Sequence, residues 1–228
     1  MTIHLVPLYK IMSLGLSYPE EKNWEGIQDQ IALSRDLFAG ETATCLNCFT
    51  EYFFRNKHRV EEIQAEYLRI FDVGRNISPY ETEYTLEKVS RKPFELADIS
   101  GFYTAFGFGL RKDVRYKESL DHIGIELEFM AILAWKEEYA RENNQQEHLA
   151  IVQDARKKFF QAHLARWGFF FCRRIAEIEG DDFFKRLARL LELVLTQECQ
   201  GYALDATLFN QQMERDPYHG VRGEELTC

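Results

Sequence analysis

Apolar residues recur at three- and four-residue intervals along nearly the whole chain, and the two-residue alternation of a half-buried strand is almost absent. Leu5, Leu8, Ile11, Met12 and Leu16 share one face of a first helix that stops at Ser17-Tyr18-Pro19. The same period predicts helices from Trp24 to Phe38, ending at Gly40, from Thr42 to Arg55, and from Val60 to Phe71. Between Asp72 and Pro93 the pattern fails, with Gly, Asn, Ser and proline breaking it. It returns from Phe94 to Phe108, then from Ser119 to Asn143, and then from Gln146 to Glu179 with a bend near Gly168. A last helix, capped by Gly180-Asp181, runs to Gln200. The expectation is an all-α fold: one compact domain of about eight or nine helices over residues 1–205, and a polar, flexible tail over 206–228. One long irregular loop, about residues 72–93, interrupts it. Loops of about twenty residues are uncommon in compact domains and tend to be functional or disordered. Tyr80 and Tyr84 speak against disorder.

Composition narrows the class. An apolar share of 46% and an aromatic share of 14% supply a core for 228 residues and exclude general disorder. Lys and Arg number 28 against 37 Asp and Glu, a net charge of −9, which argues against a nucleic-acid partner and favours cationic ones. The first residues lack a cationic leader and a small-residue cleavage site, so they read as a helix and not as a secretory signal. No apolar run is long enough to insert stably in a membrane. The expected location is the cytoplasm, with the five cysteines reduced. Cys45-Leu-Asn-Cys48 has no second such pair and no βαβ context, so a structural role is expected.

The stretch "KESLDHIGIELEFMAILAW" raises the question of chemistry, because Asp121 and His122 adjoin an almost wholly apolar helix. They fit a catalytic pair, a metal ligand set, a helix cap or part of a binding surface. A di-iron bundle needs Glu three residues before His, and none of the six histidines has it. His122 and Glu126 lie on one helical face, but no HExxH, GxSxG or GxxxxGK[ST] motif is present. The glycines of "GFYTAFGFG" suit a turn or close packing better than a phosphate. An enzyme is therefore not expected, and metal is not. The bland alternative for the pair is structural: Asp121 satisfies free N–H groups at the helix start, and His122 is a half-buried neighbour.

Two motifs in order change the weighting. "EYLRIFDVG" with "SPYETEY" (Glu66–Tyr84), followed by "ESLDHIGIELEFM" (Glu118–Met130), resembles the TorD/DmsD/NarJ family of redox-enzyme maturation chaperones. Ile70-Phe71, Pro79-Tyr80-Glu81-Thr82 and Asp121-His122 fill the matching places, with Thr82 for a serine and Leu120 for a proline. "HLARWGFFFCRRI" (His163–Ile175) and "DDFFKRLARLLELVL" also resemble that family's last helices, so the likeness spans about residues 3–200.

The resemblance implies a non-enzymatic cytoplasmic chaperone. It would bind the N-terminal twin-arginine signal peptide of a molybdopterin oxidoreductase catalytic subunit and hold the apo form until its cofactor is inserted. It implies a monomer or a domain-exchanged dimer, no resident cofactor, and a link to weak guanine-nucleotide binding that no motif here supports. A cationic, then apolar, leader calls for carboxylates beside an apolar groove. The implied peptide-binding residues are Asp121, His122, Tyr80, Glu81, Tyr84 and Glu118, with Glu83 nearby and Tyr67 and Phe71 behind. In this scheme Asp121 accepts from a leader arginine or caps its own helix, and His122 holds the adjacent loop or meets the peptide. The rival classes are a helical metal- or cofactor-binding enzyme and an unrelated helical interaction module.

Overall fold

A helix that is apolar on nearly every side is stable only when other helices surround it. The segment after His122 is such a helix, and the computed structural model places it at the centre. Residues 5–72, 77–84, 88–109, 118–180 and 182–209 are described. Among them run nine α-helices: α1 (Val6–Gly15), α2 (Glu21–Leu33), α3 (Gly40–Asn56), α4 (Val60–Tyr67), α5 (Lys88–Ala105), α6 (Ile123–Glu142), α7 (Gln146–Phe159), α8 (Ala165–Ala176) and α9 (Asp182–Gly201). Helix α6 packs between α1 and α7, and α9 packs against α8 and α3. Ile123, Leu127, Phe129, Met130 and Leu133 of α6 are fully buried. Among the described residues no helix is long and apolar enough to cross a membrane.

The all-α expectation is met, with four local differences. Helix α2 ends at Leu33, not Phe38, because Asp36 takes a left-handed φ of 64° that a helix does not continue through. Helix α5 starts at Lys88 and carries Pro93 inside it, so the irregular connection is shorter than expected. Only its section Ile77–Tyr84 is described, and residues 73–76 and 85–87 lie outside the described residues. The bend expected near Gly168 falls earlier, in a π-helical turn over Phe160–Leu164, and a second π turn over Leu68–Asp72 follows α4. Gly168 instead lets α8 approach α9, since a Cβ there would stand 2.9 Å from Leu195. Of the expected tail, residues 206–209 form a helical turn with Phe209 stacked on Phe169, and 210–228 lie outside the described residues. Cys45 and Cys48 sit on α3 as free thiols, and Cys228 is outside the description.

The start of α6 is pressed against α1. Ser13 Oγ donates to Gly124 O at 2.7 Å, and a Cβ on Gly124 would lie 2.5 Å from Ser17 Oγ and 3.0 Å from Ser13 O. The backbone oxygen cannot swing aside. Gly124→Ala is therefore expected to cost about 1–3 kcal/mol through overpacking, read as a lowered urea midpoint at unchanged slope.

Candidate functional site

The two sequence motifs meet in space as one hydrogen-bonded unit. Glu81 N–H donates to Asp121 O at 3.0 Å and Ile123 N–H donates to Pro79 O at 2.8 Å, which forms an isolated antiparallel bridge between Tyr80 and His122. Asp121 completes the junction. Its Oδ2 accepts from Thr82 N–H at 3.1 Å and from Thr82 Oγ1 at 2.6 Å, in full burial.

His122 is the cap of α6, a role the sequence reading gave to Asp121. Asp121 is committed to Thr82, one residue too early for the helix. The His122 Nδ1 accepts from Gly124 N–H at 3.1 Å, so that nitrogen is bare and Nε2 carries the proton toward Tyr67 Oη, 3.3 Å away. Burial lowers the imidazole pKa, against the opposing pull of the Glu118 and Asp121 carboxylates. A neutral ring is what the cap requires.

The other expected site residues divide by exposure. Tyr80 lays its ring against His122, centroids 5.3 Å apart, and donates its hydroxyl to Glu118 Oε2 at 2.5 Å. Burial, reinforced by that hydrogen bond, raises the Tyr80 pKa and keeps the phenol a donor. Tyr80 and Glu118 are both only half-buried. Tyr84 is buried, stacked on Trp167 with centroids 5.2 Å apart, and donates to Ser78 O at 2.6 Å. Phe71 belongs to the core, among Phe171, Phe184 and Tyr67. Tyr67 is buried too, but it reaches the site through His122 and meets the half-exposed Tyr18 edge-on at 5.5 Å. Glu81, expected at the groove, is 2% exposed and turned inward. Glu83 stays partly exposed, 3.4 Å from Lys92.

Behind the loop lies a polar cluster that the sequence reading did not assign. Glu81 faces His163 Nδ1 at 3.0 Å, and His163 Nε2 faces Asp98 at 3.1 Å. Fully buried Glu126 accepts from Trp167 Nε1 at 3.3 Å. Burial raises the Glu126 pKa well above the carboxylate range, and the Glu81 and Asp121 charges add to it. The only sequence signals for this cluster were a carboxylate in an apolar run and a histidine among aromatics. Among the described residues no group of three or more His, Cys, Asp or Glu side chains is placed to hold a metal.

Residues 35–173 match the family described as the nitrate reductase delta subunit, a span that takes in both motifs, the loop and His163. The chain belongs to that family. Among its relatives is the perchlorate reductase assembly chaperone protein of Dechloromonas aromatica (strain RCB), 25% identical over 170 residues, covering 70% of this chain and 72% of the relative. Another is the chlorate reductase assembly chaperone protein of Ideonella dechloratans, 33% identical over 110 residues, covering 47% of this chain and 54% of the relative. Both names describe assembly of a reductase, not catalysis.

In this chain a cleft of about 580 Å³ lies away from the motifs, lined by residues including Glu137, Arg141, Arg156, Glu198 and Tyr202. Several of its charges pair with one another, Arg156 with Glu137 at 2.7 Å and with Glu198, and Arg141 with Glu137 at 2.6 Å. The motif junction therefore remains the candidate site.

Proposed function

We propose that this protein is an assembly chaperone for the catalytic subunit of a molybdopterin oxidoreductase, acting in the cytoplasm on the N-terminal leader of that subunit. The observation that carries the reading is the junction itself. Two segments far apart in sequence are tied into one rigid unit whose outer edge offers Tyr80, Glu118, Leu120 and Tyr18 half-exposed. Half-exposed Tyr18 and Tyr80 pack on the buried Tyr67 and His122, which are hydrogen-bonded to each other, and with Leu120 they offer apolar surface to a helical or extended peptide. Glu118 uses one oxygen on Tyr80 and presents the other to a leader guanidinium. The names of the two relatives support the chaperone role, and the net charge of −9 favours a cationic segment.

Micromolar binding needs about −8 kcal/mol, which a few buried apolar side chains and one or two charged hydrogen bonds supply at about 1.5–3 kcal/mol each. A synthetic twin-arginine leader titrated by calorimetry is expected to bind at micromolar affinity. Glu118→Gln is expected to weaken it about tenfold, roughly 1.4 kcal/mol. Equal affinity for wild type and Glu118→Gln would remove Glu118 from the contact, and no binding to wild type would remove the leader as ligand.

A further inference from the structure

The cleft between α6, α7 and α9 carries hydrogen-bonding capacity that the protein itself does not use. Its volume of about 580 Å³ falls within the range of small-molecule sites. Glu137 and Arg141 line it from α6, Arg156 and Lys157 from α7, and Gln197 and Glu198 from α9. Leu5, just before α1, and Tyr202, just after α9, add apolar wall. The tyrosine ring rests on buried Phe160, with centroids 5.6 Å apart.

The carboxylates of the cleft are already committed. Glu137 accepts from Arg141 Nη2 at 2.6 Å, from Arg156 Nη1 at 2.7 Å and from Gln153 Nε2 at 3.0 Å. Against its burial, those donors hold the Glu137 carboxyl below its ordinary pKa, so it is ionised at neutral pH. Glu198 Oε1 accepts from Arg156 Nη2 and from Tyr9 Oη, the latter at 2.9 Å. Asp154 also lines the cleft, but it is mostly exposed and pairs with Lys158 at 2.7 Å.

What is left over is cationic. Arg141 Nη1 and Arg156 Nε are buried N–H groups without a hydrogen-bond partner among the described residues, and Gln197 Oε1 is a buried acceptor without one. Lys157 is half-buried and has no ion-pair partner among those residues. Native structures leave few buried polar groups unsatisfied, and a stranded guanidinium N–H is costly. Here three such atoms belong to residues that line one cleft. With Asp154 set against Lys158, three cations (Arg141, Arg156 and Lys157) face two carboxylates (Glu137 and Glu198), an excess of one positive charge.

We propose that this cleft binds a small organic monocarboxylate that also carries a hydroxyl group. The carboxylate accepts from Arg141, Arg156 and Lys157, the hydroxyl donates to Gln197 Oε1, and the carbon skeleton lies against Leu5 and Tyr202. Charge balance favours a carboxylate over a phosphate. A phosphate ester carries about −1.5 to −2 at neutral pH, and its second charge would face Glu137 and Glu198. Water or a neutral ligand supplies acceptor oxygens but leaves the extra cation uncompensated. The cleft lies away from the motif junction, so its ligand is a separate matter from the leader.

Mandelate combines carboxylate, hydroxyl and an apolar ring, phenylacetate lacks the hydroxyl, and inorganic phosphate lacks the carbon skeleton. Each is titrated into the full chain while the arginine Nε–H and glutamine amide signals are followed by nitrogen-15 NMR. Mandelate is expected to shift the Arg156 Nε–H and Gln197 signals saturably at millimolar concentration. Phenylacetate should bind about tenfold more weakly, because it leaves the Gln197 oxygen without a donor. Lys157→Ala, at a half-exposed position, should keep the urea midpoint and lose about tenfold in mandelate affinity. No saturable shift in wild type, or equal mandelate affinity in Lys157→Ala, would overturn the site. Phosphate binding as tightly as mandelate would overturn the carboxylate, and phenylacetate binding as tightly would overturn the hydroxyl.

Discussion

Asp121→Ala is expected to lower stability by about 3 kcal/mol, while Asp121→Asn costs much less. The alanine removes the acceptor of two hydrogen bonds from Thr82, one of them from a backbone N–H that no water reaches. A buried bond to a charged acceptor is worth about 1.5–3 kcal/mol, and a donor left without a partner adds its own desolvation cost. Asparagine keeps an oxygen where Oδ2 stands and puts its amide where Oδ1 stands, an atom without a hydrogen-bond partner among the described residues. Urea midpoints of the three proteins check the order. The same pair separates two roles for Asp121. If it holds the loop, Asp121→Ala releases Tyr80 and Glu118 and leader affinity collapses, while Asp121→Asn binds within about threefold of wild type. If a leader arginine reads its charge, the asparagine loses affinity as severely as the alanine, with the fold intact. Complete burial of the carboxylate favours the first outcome.

The helices were legible because burial imposes a period, and a period survives in one dimension. Leu5, Leu8, Ile11, Met12 and Leu16 read as one face, and all five are buried. Element ends were less legible where a single residue decides them. Asp36 ends α2 through its backbone conformation, and the shift to π-helical turns leaves the apolar spacing almost unchanged. Pro93 signalled a helix start and proved to lie inside one.

The site was legible as a neighbourhood but not as a set of contacts. Proximity of "SPYETEY" to "LDHIG" came from the resemblance, and the Tyr80–His122 bridge realises it. The direction of each side chain did not. Glu81 and Asp121 look like groove carboxylates in a string of letters, yet in an acidic protein a carboxylate beside aromatics serves equally well inside, provided it has a partner. Glu81 has His163, and Asp121 has Thr82. Those partners lie 82 and 39 residues away, a separation no local pattern encodes.

Glu126→Gln is expected to make the protein more stable than wild type at neutral and higher pH, and to flatten the decline of stability with pH. Burial pushes the Glu126 pKa well up, with the Glu81 and Asp121 carboxylates adding to it. An unfolded glutamate titrates near about 4.3, so between that value and the raised native one the folded protein holds the extra proton. Stability is then fully present below the unfolded value and is lost as pH rises through the native one, with a slope of up to about 1.4 kcal/mol per pH unit. Glutamine fixes the neutral form, and its oxygen accepts from Trp167 Nε1 as the carboxyl does. Glu137 is unchanged between the proteins and cancels in the comparison: its pKa, lowered against its burial by Gln153, Arg156 and Arg141, removes its contribution only on the acid side. Urea unfolding from about pH 5 to pH 8 should therefore show the two curves converging at the acid end and separating steadily above it. Parallel curves would mean that Glu126 is ionised throughout.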